Sequence, residues 1–210
     1  NFNLLEILTH IGHSEKVLEM RIFLSVLILI FSLQSWTKAD DIRDFQIEGM
    51  SIGDSLLDYF NEKEINKFNR YDNSNTSWIR DEMFTVRTKQ KGPYTEIMLA
   101  LKKNDKNYII YGIEGLVKMD GNISECYPKL EKVSKELKYL FPNATIDKTN
   151  ISHRSDPTGN SKVKSIFFDF TSGDFVSLQC YDWTKKMGYW DNFRVSVITK
   201  EYDEWIDSNY

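Results

Sequence analysis

The sequence predicts an α+β fold, an antiparallel sheet with two main helices packed on one face. Three observations carry that prediction. Apolar and polar residues alternate with period two in several short stretches. One segment, 128–141, repeats its apolar residues at helical spacing instead. Between these stretches lie turn-forming clusters such as "KNDKN" and "TSGD", too short to bridge anything but hairpins.

The elements follow in order. In "QIEGMSIGDSLLDYFNEKEINKF", Ser51 suits a helix N-cap and Asp54 the positively polarised first turn. Ile52, Ser55, Leu56, Tyr59 and Phe60 would form its inward stripe. Asn61 with Glu64 reads as a capping box opening a second short turn to Phe68. A polar loop over 70–77 leads to strands at Phe84–Lys89, Thr95–Leu101 and "YIIYGIEGLVKM". The helix 128–141, "PKLEKVSKELKYLF", opens on Pro128 and places Leu130, Val133, Leu137 and Leu140 on one face. Glu131–Lys135 and Lys132–Glu136 are spaced to pair on the other. A strand near Ala144–Lys148 and the polar loop "SHRSDPTGNSK" precede a hairpin, "VKSIFFDF" to "FVSLQCYDW". "NFRVSVITK" is a last strand and "EYDEWIDSNY" a short terminal helix. Helix followed by three strands thus occurs twice, at about 51–118 and 126–200, which suggests a tandem arrangement.

The front of the chain predicts the compartment. Met20-Arg21 is a short positive region, Ile22–Leu33 is apolar, and Thr37 and Ala39 are the small residues a signal peptidase accepts. The apolar run falls short of the roughly 20 residues a spanning helix needs. No cysteine follows closely enough to take a lipid. Residues 1–19 therefore read as an upstream extension, 20–39 as a signal peptide, and 40–210 as a single exported domain, periplasmic or secreted, with no stable membrane insertion after cleavage.

Hydrophobic residues at 41% are enough for a buried core. A net charge of −4, with the signs interspersed, argues against a nucleic-acid partner, which needs a basic stripe. There is no glycine-rich phosphate loop, and His10 and His13, spaced like a metal pair, fall in the expected upstream extension, so neither cofactor nor metal is expected.

"IEGMS", followed by a helix and a strand meander, resembles the small SmpA-type outer-membrane assembly lipoproteins, and beta-lactamase-inhibitory proteins carry a tandem version of that unit. Taken whole, the chain resembles exported proteins of marine alphaproteobacteria. That resemblance implies a bacterial, exported protein and no particular activity.

Several residues are candidates for chemistry. Cys126 and Cys180 are the only cysteines. Export places them where disulfides form, and Cys180 alternates with Val176 and Leu178, so it points into the core. A bond would pin the helix to the sheet; the alternative is two buried thiols that never meet. His153 and Asp156 fit either a general base with its orienting carboxylate or an Asx turn shaped by Pro157 and Gly159. Ca²⁺ at Asp156, Asn160 and Ser161 would lack the carboxylates and terminal Glu of an EF-type loop. Asp169, Asp174 and Asp182 could converge near the hairpin, where two carboxylates suffice for glycoside hydrolysis.

If Val176, Leu178 and Cys180 face the core, then Phe175, Ser177, Gln179, Tyr181 and Trp183 line the opposite face, and Tyr189 and Trp190 follow. Aromatic rings interleaved with hydrogen-bonding groups could hold a sugar ring, a peptide or a partner protein. Alternatively, the C-terminal segment with Tyr202 and Trp205 folds over this face as a minor core. The sequence thus points first to a noncatalytic exported domain that binds a protein, peptide or glycan. A small exported hydrolase using His153 or paired aspartates is the alternative, and a structural envelope protein the third reading.

Overall fold

Strand alternation translates directly into architecture. The computed structural model describes residues 41–71, 82–88, 92–119 and 121–209. The expected extension 1–19 and signal peptide 20–39 lie outside the described residues. Among the described residues eight strands run β1 (Asn69–Tyr71), β2 (Met83–Thr88), β3 (Glu96–Lys102), β4 (Ile110–Lys118), β5 (Thr145–Ser152), β6 (Lys162–Asp169), β7 (Phe175–Asp182) and β8 (Asn192–Ile198). They form one antiparallel sheet in the order β1-β2-β3-β4-β8-β7-β6-β5. Each half is a four-strand meander preceded by a helix, α1 (Glu62–Ile65) or α2 (Cys126–Leu140), and the halves join through their last strands, β4 and β8. The tandem arrangement therefore exists with four strands per half; β1 is the strand the polar sequence around Arg70 concealed.

One face of the sheet carries the main core. Val176, Leu178 and Cys180 of β7 point the same way as their register partners Val197, Val195 and Phe193 of β8, and all six are buried. Ile166 and Phe168 of β6 and Ile113 of β4 extend this layer. The helix α2 packs on it with Leu130, Val133 and Leu137, the stripe its spacing predicts, while Leu140 is only half-buried. At its C-terminal end Phe141 meets Phe45 and Phe170, with ring centroids 6.1 and 5.0 Å apart. Its outer carboxylate behaves differently from expectation. Glu131 reaches across to the sheet, to Lys148 at 3.3 Å and Lys164 at 3.2 Å.

Cys126 and Cys180 are joined in a disulfide, with Cα atoms 5.9 Å apart. The bond ties the first residue of α2 to the middle of the sheet.

The helix expected from Ser51 is replaced by a single 3-10 turn, Leu56–Asp58, capped by Ser55. Its backbone is engaged elsewhere: Gly53 N–H donates to Ile110 O, Leu56 N–H to Tyr108 O, and Ile110 N–H to Asp54 O. Bridging to the start of β4 leaves those groups unable to close helical bonds. The Asn61–Glu64 capping box does form, and it opens α1.

The opposite face has its own, smaller core at one end. The terminal helix α3 (Lys200–Asn209) lays Tyr202 over Met83, Ala100 and Ile198, with Tyr111, Phe175, Trp205 and Ile206 packed around them. Gly112 makes this possible, because a Cβ there would lie 2.6 Å from the Tyr202 ring. Thr199 and Asp174 cap α3: Tyr202 N–H donates to Thr199 Oγ1 at 3.2 Å and Lys200 N–H to Asp174 Oδ1 at 2.8 Å. No described helix is long and apolar enough to cross a membrane.

Candidate functional site

The end of this face remote from α3 gathers the aromatic residues. Strand register aligns Ile151, Val163, Tyr181 and Asn192 in one row, and Thr149, Ser165, Gln179 and Arg194 in the next. Beyond the Tyr181 row the strands pass into two loops, 153–161 and 183–191. The expected face of β7 is therefore real: Phe175, Ser177, Gln179 and Tyr181 all point away from Cys180. Its aromatic members do not form one surface. Phe175 lies under α3 with Tyr202, whereas Tyr181 sits six residues further along, roughly 20 Å away at strand rise. The C-terminal segment thus covers the Phe175 end, as the second reading of this face held, and Tyr181 belongs to a separate cluster.

In that cluster the Trp183 ring lies 4.3 Å from His153, 4.8 Å from Tyr189 and 5.8 Å from Tyr181, centroid to centroid. The Tyr181 and Trp183 planes are only 18° apart. Tyr189 is the outermost member, 61% exposed, and Ile151 beside the cluster is 60% exposed. The Arg194 guanidinium sits 4.4 Å from the Tyr181 centroid, a cation–π contact. Arg194 also pairs with Glu114 at 2.9 Å, and Ser196 Oγ donates to the same carboxylate at 3.3 Å. Tyr181 O–H donates to Gln179 Oε1 at 3.1 Å, and Gln179 Nε2 donates to Ser165 Oγ at 3.3 Å. Trp190 is half-buried and contributes its carbonyl, which accepts from Asn192 Nδ2 at 3.2 Å.

Two loops hold this arrangement, and both are explained locally. In 183–191 a 3-10 turn, Lys185–Met187, ends at Gly188 with φ +71°, a conformation glycine adopts without strain. Trp183 N–H donates to Asp191 Oδ1 at 2.7 Å, so the loop closes on itself and returns Tyr189 to Trp183. The loop 153–161 is organised by Asp156, only 5% exposed. Its Oδ1 accepts from Thr158 N–H at 2.9 Å and Thr158 O–H at 2.7 Å. Its Oδ2 accepts from Ser161 N–H at 2.8 Å, Ser161 O–H at 2.6 Å and Thr184 O–H at 3.3 Å. Thr184 N–H in turn donates to Ser161 Oγ at 3.1 Å, so the two loops are knotted together beside Trp183.

In that knot the Asx turn expected at Asp156 is formed. The Asp156 carboxylate is occupied by hydroxyl and amide donors, which hold it well below the usual carboxylate range; the Ser161 and Thr158 hydroxyls contribute most. The same N–H and O–H donors fill the oxygens that a Ca²⁺ site would need. His153 Nδ1 accepts from Ser155 N–H at 3.1 Å, which puts the proton of the neutral ring on Nε2. Burial and the nearby Arg154 and Arg194 charges lower its pKa. The residue is an aromatic member of the cluster, and Asp156 is its loop's keystone.

The three aspartates do not converge. Asp169 lies opposite Phe175 and Asp182 opposite Lys162, at the two ends of the hairpin, roughly 23 Å apart. Paired carboxylates in glycosidases stand about 5–9.5 Å apart. Asp174 is engaged as the cap of α3. Burial raises the pKa of both Asp169 and Asp182, helped by Asp147 beside the first and Asp191 beside the second. Among the described residues no three His, Cys, Asp or Glu side chains gather as metal ligands would.

A cleft of about 480 Å³ lies beside α3 between Arg43, Tyr111, Asp174 and Lys200. It contains none of the candidate residues except the capping Asp174. No protein-family model, curated protein or solved structure matches the chain.

Proposed function

We propose that the protein is a noncatalytic binding domain of the bacterial periplasm or exterior, and that its contact surface is the cluster of Tyr181, Trp183, Tyr189 and His153. One observation carries the reading. Four rings meet on one end of a sheet face, and the outermost, Tyr189, presents 61% of its surface to solvent. His153, Tyr181 and Trp183 are part-buried, so the exposed Tyr189 ring, with Ile151 beside it, is the surface a partner would cover. The polar chemistry beneath supports binding over catalysis, because His153 faces Trp183 and Asp156 is consumed by its loop. The Cys126–Cys180 bond is compatible with export, since such bonds persist in oxidising compartments.

Hydroxyl-radical footprinting tests this. The full chain is oxidised alone and again in material from the native cell exterior. Tyr189 and Trp183 are expected to become protected while Tyr139, 71% exposed on α2, is oxidised equally in both. Equal oxidation of all three in both conditions contradicts the reading.

A further inference from the structure

The sheet ends at β5, and the outer backbone groups of that strand have no partner among the described residues. The ladder fixes which groups these are. His153 N–H donates to Ser161 O at 2.9 Å, one step beyond the Ser152–Lys162 pair of the β5–β6 register. Hydrogen-bonded pairs alternate in an antiparallel ladder, so Thr145, Asp147, Thr149 and Ile151 bond to β6. The N–H and C=O groups of Ile146, Lys148, Asn150 and Ser152 therefore point outward. Bonds from Phe170 N–H to Asp174 O and from Met119 N–H to Asp191 O continue the same alternation across β6–β7 and β4–β8. β5 lacks most of the devices that blunt an edge. It is eight residues long with an unbroken register, it contains neither proline nor glycine, and only Ile146 and Thr149 are as much as half-buried. Its single cation, Lys148, is drawn to Glu131 of α2 at 3.3 Å. The helix itself packs over β7 and β8, two and three strands in from the edge.

We infer that β5 is a self-association edge, at which two copies of this chain join antiparallel about a two-fold axis at Thr149 into one continuous sheet. A second copy fits because the edge is complementary to itself. A two-fold axis perpendicular to the sheet pairs residues of the same face, so outward-bonding residues meet one another. Centred on Thr149, the whole strand overlaps. Ile146 of one copy pairs with Ser152 of the other, and Lys148 with Asn150, each pair exchanging two N–H···O bonds. Between them Asp147 faces Ile151, and Thr149 faces Thr149 as a close, non-hydrogen-bonded pair whose hydroxyls can bond across the strands. No like charges are opposed. Moving the axis to Lys148 or Asp147 would set two lysines or two aspartates face to face, and moving it to Asn150 would shorten the overlap. One strand edge is a small interface, so association is on the order of micromolar. The axis also keeps both Tyr189 clusters on one side of the joined sheet, where they could bind bivalently. The dimer stands whether or not those clusters are contact surfaces.

The test is sedimentation velocity of the full chain with its cysteines oxidised, from about 1 to 500 µM. A reversible monomer–dimer equilibrium is expected. Asn150→Pro removes an outward N–H and leaves the β5–β6 ladder intact, as edge strands tolerate, and should weaken the dimer by about tenfold or more. Thr149→Lys and Thr149→Asp each place like charges on the axis and should weaken it similarly. An equimolar mixture of the two should recover the dimer, since lysine then meets aspartate. Tyr139→Ala, exposed on α2, should change nothing. Far-UV circular dichroism confirms that each variant is folded. A monomer at every concentration overturns the inference. So does a dimer that folded Asn150→Pro and both Thr149 variants leave undiminished, because self-association then uses another surface. A mixture that fails to recover rejects the Thr149 axis and the inference with it. A monomer whose Lys148 and Asn150 amides are protected from exchange only by native exterior material gives the edge to a foreign strand and rejects the second copy.

Discussion

His153 is placed where its charge matters to its neighbours. The ring lies 4.3 Å from Trp183, and burial together with Arg154 and Arg194 lowers its pKa. The unfolded chain therefore binds a proton at this residue more readily than the folded one, and stability falls as pH drops below about 6.5 through the folded pKa. His153→Phe keeps the ring and removes the proton. Its stability, from urea unfolding at pH 7.5 and pH 5, should depend less on pH than the parent's; an identical pH dependence would contradict the assignment. Asp156 has the same sign at a lower pH, because its lowered pKa means that stability is lost as pH falls below the ordinary carboxylate value. Asp156→Ala should lower the melting temperature and speed amide exchange at Thr158, Ser161 and Thr184, whose N–H groups join in the knot or donate to it. Unchanged exchange at Thr184 would show that the loops are tied by other means. At this scale the sequence was only half legible. "SDPTGNS" announced an Asx turn, but the partner that gives Asp156 its importance, Thr184, is 28 residues away and is brought close only by strand register.

Elements were legible where local pattern and tertiary burial agree. Period-two alternation placed Cys180 in the core with Val176 and Leu178, and helical spacing gave α2 the stripe it buries. Their junction, the Cys126–Cys180 bond, closes a separation of 54 residues. On the loop-entropy model such a link stabilises by up to about 4 kcal/mol. The double variant Cys126→Ala, Cys180→Ala should lose stability on that scale in denaturant titrations, partly through the cavity left beside Phe193. A loss below about 1 kcal/mol would mean that α2 docks without help. Elements were misread where distant backbone groups intervene. Leu56, Tyr59 and Phe60 have helical spacing, yet bonds from Gly53 and Leu56 to the start of β4 halt the helix after one turn. Polar β1 gave no alternation to read, and the aspartates looked convergent until β6–β7 register placed Asp169 and Asp182 at opposite ends.

The described residues form two helix-plus-meander halves sealed through β4 and β8, with the opposite face of the sheet divided by use. One end is closed by α3, and the other carries rings that no neighbouring strand fully buries. Gly112 governs the closed end. Gly112→Val would drive a side chain into the Tyr202 ring, 2.6 Å from a Cβ, and should loosen α3 and raise Trp205 quenching by acrylamide while the Trp183 cluster is unaffected. Coupled disturbance of both ends would show that the face behaves as one surface. The central claim, that the Trp183–Tyr189 end is open in the isolated chain and covered in use, is reached most directly by fluorine NMR. The full chain is labelled with 3-fluorotyrosine, and the Tyr189 resonance is assigned with Tyr189→Phe. A soluble gadolinium chelate should broaden the Tyr189 signal far more than that of Tyr202, and native exterior material should restore it. A Tyr189 signal as sheltered as that of Tyr202 from the outset, or one that native material leaves broadened, would contradict the account.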